Sequence, residues 1–358
     1  MRIVSERLHN QRLSAPQFQR PVDVVRWMGA VQAQDYYGAK WALALRMRSA
    51  TDAGIEKVFN DGQIIRTHLL RPTWHFVAPE DIRWLLQLTG PRVNLKCGSA
   101  FRRFELDAAV FKKSHRALIN VLKGGKHLAR TELRAALDRA GVATGDNIRF
   151  QHILIRAELD GIICSGPRQS KQFTYSLLDE RVPRAKSLTR DEALVELTRR
   201  YFSSHGPANL QDFVWWSGLT TAEARSGIAS LDSDLRKITV DEKTYYGPSA
   251  KIRAPRSDSP HPPKLLPAFD EYNVAYKDRG IVNELLPTWN ALGPTVIVDG
   301  RVVGTWKASV NKSAVAIDVS SARGLTKPET TAITAAAERY AAFLGISSHK
   351  VVTFSRTQ

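Results

Sequence analysis

The stretch TELRAALDRAGVATGDNIRFQHILIRAELDGIICSGPRQSKQFTYSL, residues 131–177, decides the fold. Its apolar spacing predicts two helices, the first closed by Gly141, and two strands with the basic tip GPRQSKQ between them. These elements are the helices 131–140 and Asn147–Leu159 and the strands Ile162–Cys164 and Phe173–Leu177. With a further helix predicted in front, over Phe111–Leu122, the pattern is three helices and a two-stranded wing, which is typical of a winged helix-turn-helix.

The same outline is predicted on both sides of this stretch. Before it, helices at Ser5–Leu13 and Pro21–Gly29 precede two strands within IIRTHLLRPTWHFV (Ile64–Val77) and a helix from Pro79 to Gly90. After it come a helix at Glu192–Phe202, a short helix in NLQDFVWWSGL, and a helix that starts with the capping box Thr220 to Glu223. Recurrence at about eighty residues predicts tandem modules.

The C-terminal part has a different pattern. The proline-rich segment GPSAKIRAPRSDSPHPPKLLP (Gly247–Pro267) predicts an irregular connection. Beyond it, TVIVDGRVVGTW predicts a hairpin that turns at Asp299–Gly300, Ser313–Val319 predicts a strand, and a helix capped at Thr326 ends at Gly345. The predicted fold is α+β, with tandem winged-helix modules and a β-rich C-terminal unit. The expected modules are 1–110, 111–182 and 183–260, followed by the C-terminal unit 261–358.

Composition predicts a folded protein with an anionic partner. The chain has 358 residues, 43% of them hydrophobic, and carries 52 Lys and Arg against 35 Asp and Glu, a formal charge of +17. Nucleic acid is the commonest partner of so basic a chain. Two cysteines, Cys97 and Cys164, exclude a multi-disulfide framework and a cysteine-rich zinc site. Because the first thirty residues lack the continuous apolar stretch of a signal peptide, we expect a cytoplasmic protein with no membrane partner.

Common nucleotide and metal motifs are missing from the sequence. The Gly124–Lys126 stretch is followed by His127 and lacks a glycine at position 120, so it does not form a phosphate-binding loop. None of the nine histidines belongs to a His-Glu-x-x-His motif. We therefore predict that the protein uses neither a metal nor another cofactor.

The motif VQAQD (Val31–Asp35) contains the first candidate site residues, Gln32 and Gln34. If the backbone is extended there, both amides project to one side, and an amide pair can hold one water as donor and acceptor. The alternative is two polar residues at the end of a helix, and spacing alone favours that alternative.

The motif RPTWH (Arg71–His75) contains the second set. Strand alternation puts Arg71, Thr73 and His75 on one face, with Pro72 and Trp74 on the other. A solvated strand face, or a core histidine with threonine as its partner, explains this pattern equally well and is favoured by spacing alone.

Taken together, these motifs resemble the AlkZ/YcaQ-like winged-helix DNA glycosylase superfamily over nearly the whole chain. The resemblance lies in their order along the sequence, which is VQAQD, R-x-T-x-H, the predicted modules, LLPAFDEYNVAYKDR (Leu265–Arg279) and TVIVDGRVVGTW. The Leu265–Arg279 match is partial. The resemblance implies modules that curve around duplex DNA and glutamines that position the hydrolytic water. The resemblance thereby assigns the catalytic roles to Gln32 and Gln34. It assigns site-lining roles to Arg71, Thr73 and His75. Asp35 takes only a secondary place, because a side chain directly after Gln34 should point away from the side on which Gln34 projects.

The resemblance implies a monofunctional DNA glycosylase that removes alkylated, including crosslinked, purines. We expect it to act as a monomer and to contact DNA through basic side chains at Arg46, Arg48, Arg92, Lys96, Arg102, Arg103, Arg168 and Lys171. One alternative is a non-catalytic DNA-binding protein or regulator on the same scaffold. Another is a structural or RNA-binding protein. Tandem modules in one chain favour the enzyme over a regulator, which usually dimerises on palindromic sites.

Overall fold

The computed structural model describes residues 2–185, 187–249, 261–283, 292–311, 314–346 and 350–356. Its N-terminal segment contains four helices and a three-stranded antiparallel sheet with the order β1-β3-β2. The elements are α1 (Arg2–Asn10), α2 (Pro21–Met28), β1 (Val31–Gln32), α3 (Tyr36–Leu45), α4 (Asp52–Asn60), β2 (Ile65–Leu69) and β3 (Thr73–Val77). The two strands predicted within Ile64–Val77 are confirmed.

Helix α5 (Ile82–Arg103) is longer than predicted, because it continues past Gly90 and Pro91. A proline inside a helix costs about 3 kcal/mol, so something must offset that cost. The buried stripe of the helix continues through Val93 and Cys97 to Phe101. Burial of these side chains on the second segment outweighs the lost backbone hydrogen bond, and the prediction of an end at Gly90 is wrong for that reason.

The second segment confirms the three helices and two strands expected of it. Its elements are α6 (Ala108–Leu122), β4 (Leu128–Ala129), α7 (Arg130–Arg139), α8 (Asn147–Leu159), β5 (Ile163–Ser165), β6 (Thr174–Leu177) and the short α9 (Leu178–Arg181). The strands form an antiparallel sheet with the order β4-β6-β5. Asp107 and Asp146 cap α6 and α8 by accepting backbone N–H groups, which explains where these helices begin.

The third segment has the predicted helices and an antiparallel hairpin that was not predicted. It consists of α10 (Arg190–His205), α11 (Leu210–Ser217), α12 (Thr221–Ala229), β7 (Leu235–Val240) and β8 (Lys243–Pro248). The capping box expected at Thr220 and Glu223 is present at the start of α12. Strand β7 escaped prediction because its side chains are mostly exposed and lack a buried apolar pattern.

The C-terminal segment is a five-stranded sheet with the order β13-β12-β11-β10-β9, packed on one long helix. Its elements are β9 (Lys264–Leu266), α13 (Glu271–Val274), β10 (Thr295–Val298), β11 (Arg301–Val310), β12 (Val315–Ser321), α14 (Lys327–Phe343) and β13 (Lys350–Arg356). The hairpin predicted at Asp299–Gly300 is confirmed, and both residues have positive φ. Strand β13, parallel to β12, was not predicted. Most of the proline-rich connection and Ser313 lie outside the described residues.

The hydrophobic core has two parts that cross the expected module boundaries. One part joins α5 to the second and third segments, and the other joins α2 and α3 to the C-terminal sheet. The N-terminal sheet contributes to both, Ile65 and Val77 to the first and Val31 and Phe76 to the second. This sheet therefore lies where the second, third and C-terminal segments meet the N-terminal one. No helix of the described residues is long and apolar enough to cross a membrane.

Candidate active site

The backbone of the glutamine motif is extended, as the paired-amide hypothesis requires. Helix α2 ends at Gly29, whose φ of 80° turns the chain into β1. Gln32 then lies opposite His75 of β3, and the Ala33 N–H continues the pairing by donating to the Trp74 carbonyl at 2.7 Å. Strand β1 ends at Gln32, and Gln34 lies in the bend that follows Ala33, so a common face for the two amides stays an expectation from the extended backbone up to Ala33.

Gln32 is held at its backbone and at its side chain. Its backbone N–H donates to Oε1 of Glu271 at 2.6 Å, and its side-chain Oε1 accepts a hydrogen bond from the Arg71 guanidinium at 2.7 Å. The residue is only 5% exposed. Since Arg71 occupies the amide oxygen, the Nε2 group is the end that faces away, and it has no hydrogen-bond partner among the described residues. It is available to donate to a water or a substrate.

Glu271 is a fully buried carboxylate that the sequence analysis did not single out. Its second oxygen accepts the indole N–H of Trp216 at 2.9 Å and lies 3.4 Å from Nε2 of His205. Burial raises the pKa of Glu271, but the His205 contact and the Gln32 N–H outweigh it and hold the pKa below the usual value. Glu271 is therefore ionised at neutral pH and adds a negative charge directly behind Gln32.

Gln34 and Asp35 differ in their surroundings. Gln34 is exposed, and its Oε1 accepts a long hydrogen bond of 3.4 Å from the Trp74 N–H, so the side chain keeps hydrogen-bonding capacity for a water. Asp35 caps α3, and its carboxylate accepts the Gly38 N–H at 3.2 Å. The structure thus gives Asp35 a local capping role.

The strand motif is divided between the hairpin tip and β3. Arg71 lies in the tip, where it reaches Gln32, whereas Thr73 and His75 lie in the strand. His75 is fully buried, and its Nδ1 bonds to the Thr73 carbonyl at 3.0 Å. Burial and the nearby Arg71 lower the pKa of His75 to about 3. His75 is therefore neutral at physiological pH and cannot act there as a proton donor in its charged form.

The opposite face of the sheet fixes the middle of the glutamine motif. Arg66 donates through Nε to the Ala33 carbonyl at 3.0 Å, and its guanidinium lies 4.2 Å from the ring of Trp74. Burial lowers the pKa of Arg66 to about 10, so it keeps its charge. With Glu271 on the Gln32 N–H and Arg66 on the Ala33 carbonyl, the motif is held in one conformation before any substrate binds.

Two of the expected DNA contacts are wrong. Arg46 is 1% exposed and makes a bidentate pair with Asp270 at 2.9 Å, in addition to a hydrogen bond to Gln11, so its charge is used inside the protein. The Arg168 side chain is 5% exposed and is paired with Glu56 at 3.3 Å. Release of Arg46 to a phosphate would leave Asp270 buried without a counter-charge. Arg168 is held by Glu56, by the Tyr37 hydroxyl and by the Lys171 carbonyl, so its guanidinium is already used inside the protein.

The other expected DNA contacts lie on the surface. Exposed side chains are those of Arg48, Lys96, Arg102, Arg103 and Lys171, and Arg92 is half-buried. None of these side chains pairs with a carboxylate among the described residues, whereas Arg83, Arg190 and Arg200 all do. They remain candidate phosphate contacts.

Sequence reasoning missed Glu271 together with its partners Trp216 and His205. The signal available was the FDEYN stretch within Leu265–Arg279, which the resemblance marked without selecting a residue. Glu271 is 239 positions from Gln32, so only the tertiary fold brings the two together. In the part of the chain that the structure describes, no group of three His, Cys, Asp or Glu side chains is arranged to hold a metal ion.

Comparison with known proteins agrees with this architecture. The DNA glycosylase AlkZ-like family matches residues 25–343. A curated relative, the interstrand DNA cross-link repair glycosylase of Streptomyces sahachiroi, is 23% identical over 306 residues, which cover 80% of this chain and 81% of the relative. The solved structure of Streptomyces sahachiroi DNA glycosylase AlkZ superposes with a TM-score of 0.81 at 22% identity and covers 98% of both chains. The chain therefore belongs to the AlkZ-like DNA glycosylase family.

Proposed function

We propose that this protein is a monofunctional DNA glycosylase that hydrolyses the N-glycosidic bond of alkylated purines in duplex DNA, crosslinked purines included. Family membership makes the chain a DNA glycosylase and hence a hydrolase. The observation that carries the assignment to residues is the placement of Gln32, whose backbone is bonded to Glu271 and whose amide oxygen is bonded to Arg71. Crosslinked purines are included because the Streptomyces sahachiroi relative is an interstrand DNA cross-link repair glycosylase.

In the proposed reaction, Gln32 and Gln34 hold one water between their side-chain amides. The free Nε2 group of Gln32 donates to the water oxygen, and the Gln34 amide accepts one of its hydrogens. Two neutral amides suffice because an N3- or N7-alkylated purine is cationic and leaves without prior protonation. The enzyme then has to position the water and stabilise the sugar.

The bond changes balance without a cofactor. The C1′–N bond breaks with its electron pair going to the base, which leaves as a neutral alkylpurine. The water oxygen bonds to C1′, and the water loses a proton to solvent, so an abasic site remains. During this step C1′ carries positive charge, and the buried negative charge of Glu271 behind Gln32 favours it. Glu271 thus acts as a positioning residue for Gln32 and as a fixed charge.

We also propose that the three helical segments are winged-helix modules. In the first, α2, β1, α3, α4 and the β2–β3 hairpin follow one another. The second segment repeats this order with α6, β4, α7, α8 and the β5–β6 hairpin. The third segment repeats it without the short strand, as α10, α11, α12 and the β7–β8 hairpin. This recurrence supports three modules close to the expected 1–110, 111–182 and 183–260, with the first boundary moved in front of α6, which begins at Ala108. The shared core is the reason to expect a rigid scaffold. The monomeric state, the independence from metals and the cytoplasmic location stay predictions.

Incubation with duplex DNA that carries 7-methylguanine, followed by alkaline cleavage of abasic sites, tests the proposal. We expect strand cleavage at the modified guanine and none in an unmodified duplex. A second substrate with a guanine crosslink should release separable strands at the same position. Binding without release of any base from either substrate would favour the alternative of a non-catalytic DNA-binding protein.

A further inference from the structure

An exposed tryptophan, Trp215, lies beside the candidate active site without an evident structural reason for its exposure. It is in α11, and 43% of its surface is exposed, whereas its neighbour Trp216 is completely buried and bonded to Glu271. An indole exposes a large apolar ring together with a hydrogen-bonding edge, so a half-exposed tryptophan beside the candidate site is in a position to contact a ligand.

The ring is held in place although it is exposed. Its indole N–H donates to the Val274 carbonyl at 3.0 Å, and its backbone carbonyl accepts from Arg71 at 3.2 Å. The end of α11 is locked as well, because Gly218 has a φ of 72° and a Cβ there would lie 2.2 Å from the Leu70 carbonyl in the hairpin tip. Only glycine allows this approach, so α11 and the tip form one unit.

Cations surround the exposed ring. The Cζ atoms of Arg279 and Arg71 lie 5.6 and 5.8 Å from the ring centroid. Lys96 projects to the same place, because its Nζ atom would lie 3.4 Å from a Cβ atom on Gly218. Burial lowers the pKa of Lys96 most, and the charges of Arg92 and then Arg71 lower it further. None of these cations pairs with a carboxylate among the described residues. Together with Trp215 they form a surface that we call the tryptophan patch.

We propose that the tryptophan patch binds duplex DNA next to the lesion and that the Trp215 indole stacks on a base unstacked from its neighbour. A cationic surface around an aromatic ring is the combination that binds a phosphate backbone and an exposed base together. The patch is continuous with the site, because Arg71 bonds to Trp215 on one side and to Gln32 on the other. Stacking there would hold the damaged nucleotide beside Arg71 and Gln32. The choice of DNA as partner rests on the proposed function.

The test uses an uncleavable duplex, so that it reads stacking independently of base release. The probe is 2-aminopurine placed beside a tetrahydrofuran abasic analogue, because the fluorescence of 2-aminopurine rises when the base is unstacked in water and is quenched when it stacks on an indole. We expect wild-type protein to change this fluorescence on binding. Trp215→Ala and Trp215→Leu should remove that change and weaken binding about 5- to 150-fold, the range for the loss of one stacked base. Trp215→Phe should retain most of both.

The controls separate stacking from charge and from folding. Phe354→Ala removes a ring of matched exposure, 40%, on the distant strand β13, and should bind like wild type. Lys96→Ala should reduce the slope of log K against log salt by about one, which Trp215→Leu leaves unchanged. If Trp215→Ala does not fold, the leucine and phenylalanine variants decide the outcome. Wild-type-like binding and fluorescence with leucine at this position would overturn the proposal, whether or not the enzyme releases base.

Discussion

Replacement of Glu271 by glutamine should impair both folding and base excision, and the size of each effect follows from the hydrogen bonds. Both carboxylate oxygens accept N–H donors, from Gln32 at 2.6 Å and from Trp216 at 2.9 Å. Glutamine has one side-chain oxygen, so one of these donors would face an NH₂ group. The loss of a hydrogen bond to a buried charged group costs about 1.5–3 kcal/mol, which we expect as the fall in the free energy of unfolding.

The fall in the excision rate should exceed what a loss of folded protein could explain. Glu271→Gln removes the buried charge and shifts the backbone of Gln32, and the loss of one preorganised electrostatic contact typically costs about 10²- to 10³-fold in rate. The assay is single-turnover release of 7-methylguanine with enzyme in excess, at a temperature where the variant is folded. Because the pKa of Glu271 is held below its usual value, the ratio of wild-type to variant rates should be constant between pH 6 and 9.

Glu158→Gln is the matched control for this variant. Glu158 is 1% exposed and is bonded to His68, as Glu271 is in contact with His205, but it lies on the other side of the N-terminal sheet. We expect a comparable loss of stability with an excision rate within about threefold of wild type. Equal losses of rate in both variants would refute a specific role for Glu271, and so would a normal rate in Glu271→Gln.

Three further predictions concern charges whose roles the structure distinguishes. Burial holds the pKa of His75 near 3 in the folded protein, whereas His75 of the unfolded chain takes up a proton below about pH 6.5. Wild type should therefore lose unfolding free energy as pH falls below about 6.5, by up to about 1.4 kcal/mol per pH unit. Urea unfolding of His75→Gln should show a shallower loss over the same range. Arg46→Ala should lose about 3–5 kcal/mol of unfolding free energy in the same assay, because Asp270 would be left buried and unpaired, whereas Arg48→Ala should unfold like wild type. Lys171→Ala should lower the slope of log K for DNA binding against log salt by about one, whereas Arg168→Ala should leave that slope unchanged. The reverse result would restore Arg168 as a phosphate contact.

Local signals in the sequence were sufficient for most of the helices and for the central hairpins. Capping residues such as Thr220 and Thr326, and the Asp299–Gly300 turn, act within a few residues, so their effect does not depend on the rest of the fold. Helix α5 was predicted too short because packing across its whole length overrides the local effect of Pro91.

The site was only partly predictable for a related reason. Gln32 and Gln34 are two residues apart, so their common face follows from an extended backbone alone. The contact of Gln32 with Glu271 and the pairing of Arg46 with Asp270 each join residues more than 200 positions apart. Composition and spacing contain no information about such pairs, which is why Glu271 was missed and Arg46 was assigned to DNA.

Excision of 7-methylguanine by Gln34 variants tests the water-positioning role most directly. Gln34 is exposed, so its replacement should leave folding and DNA affinity near normal. We predict that Gln34→Ala lowers the single-turnover rate by roughly 10²-fold or more, and that Gln34→Asp is milder because a carboxylate can accept the proton of the water. A normal rate of base release by Gln34→Ala, together with a normal rate by Gln32→Ala, would contradict the assignment of the attacking water to this pair of amides.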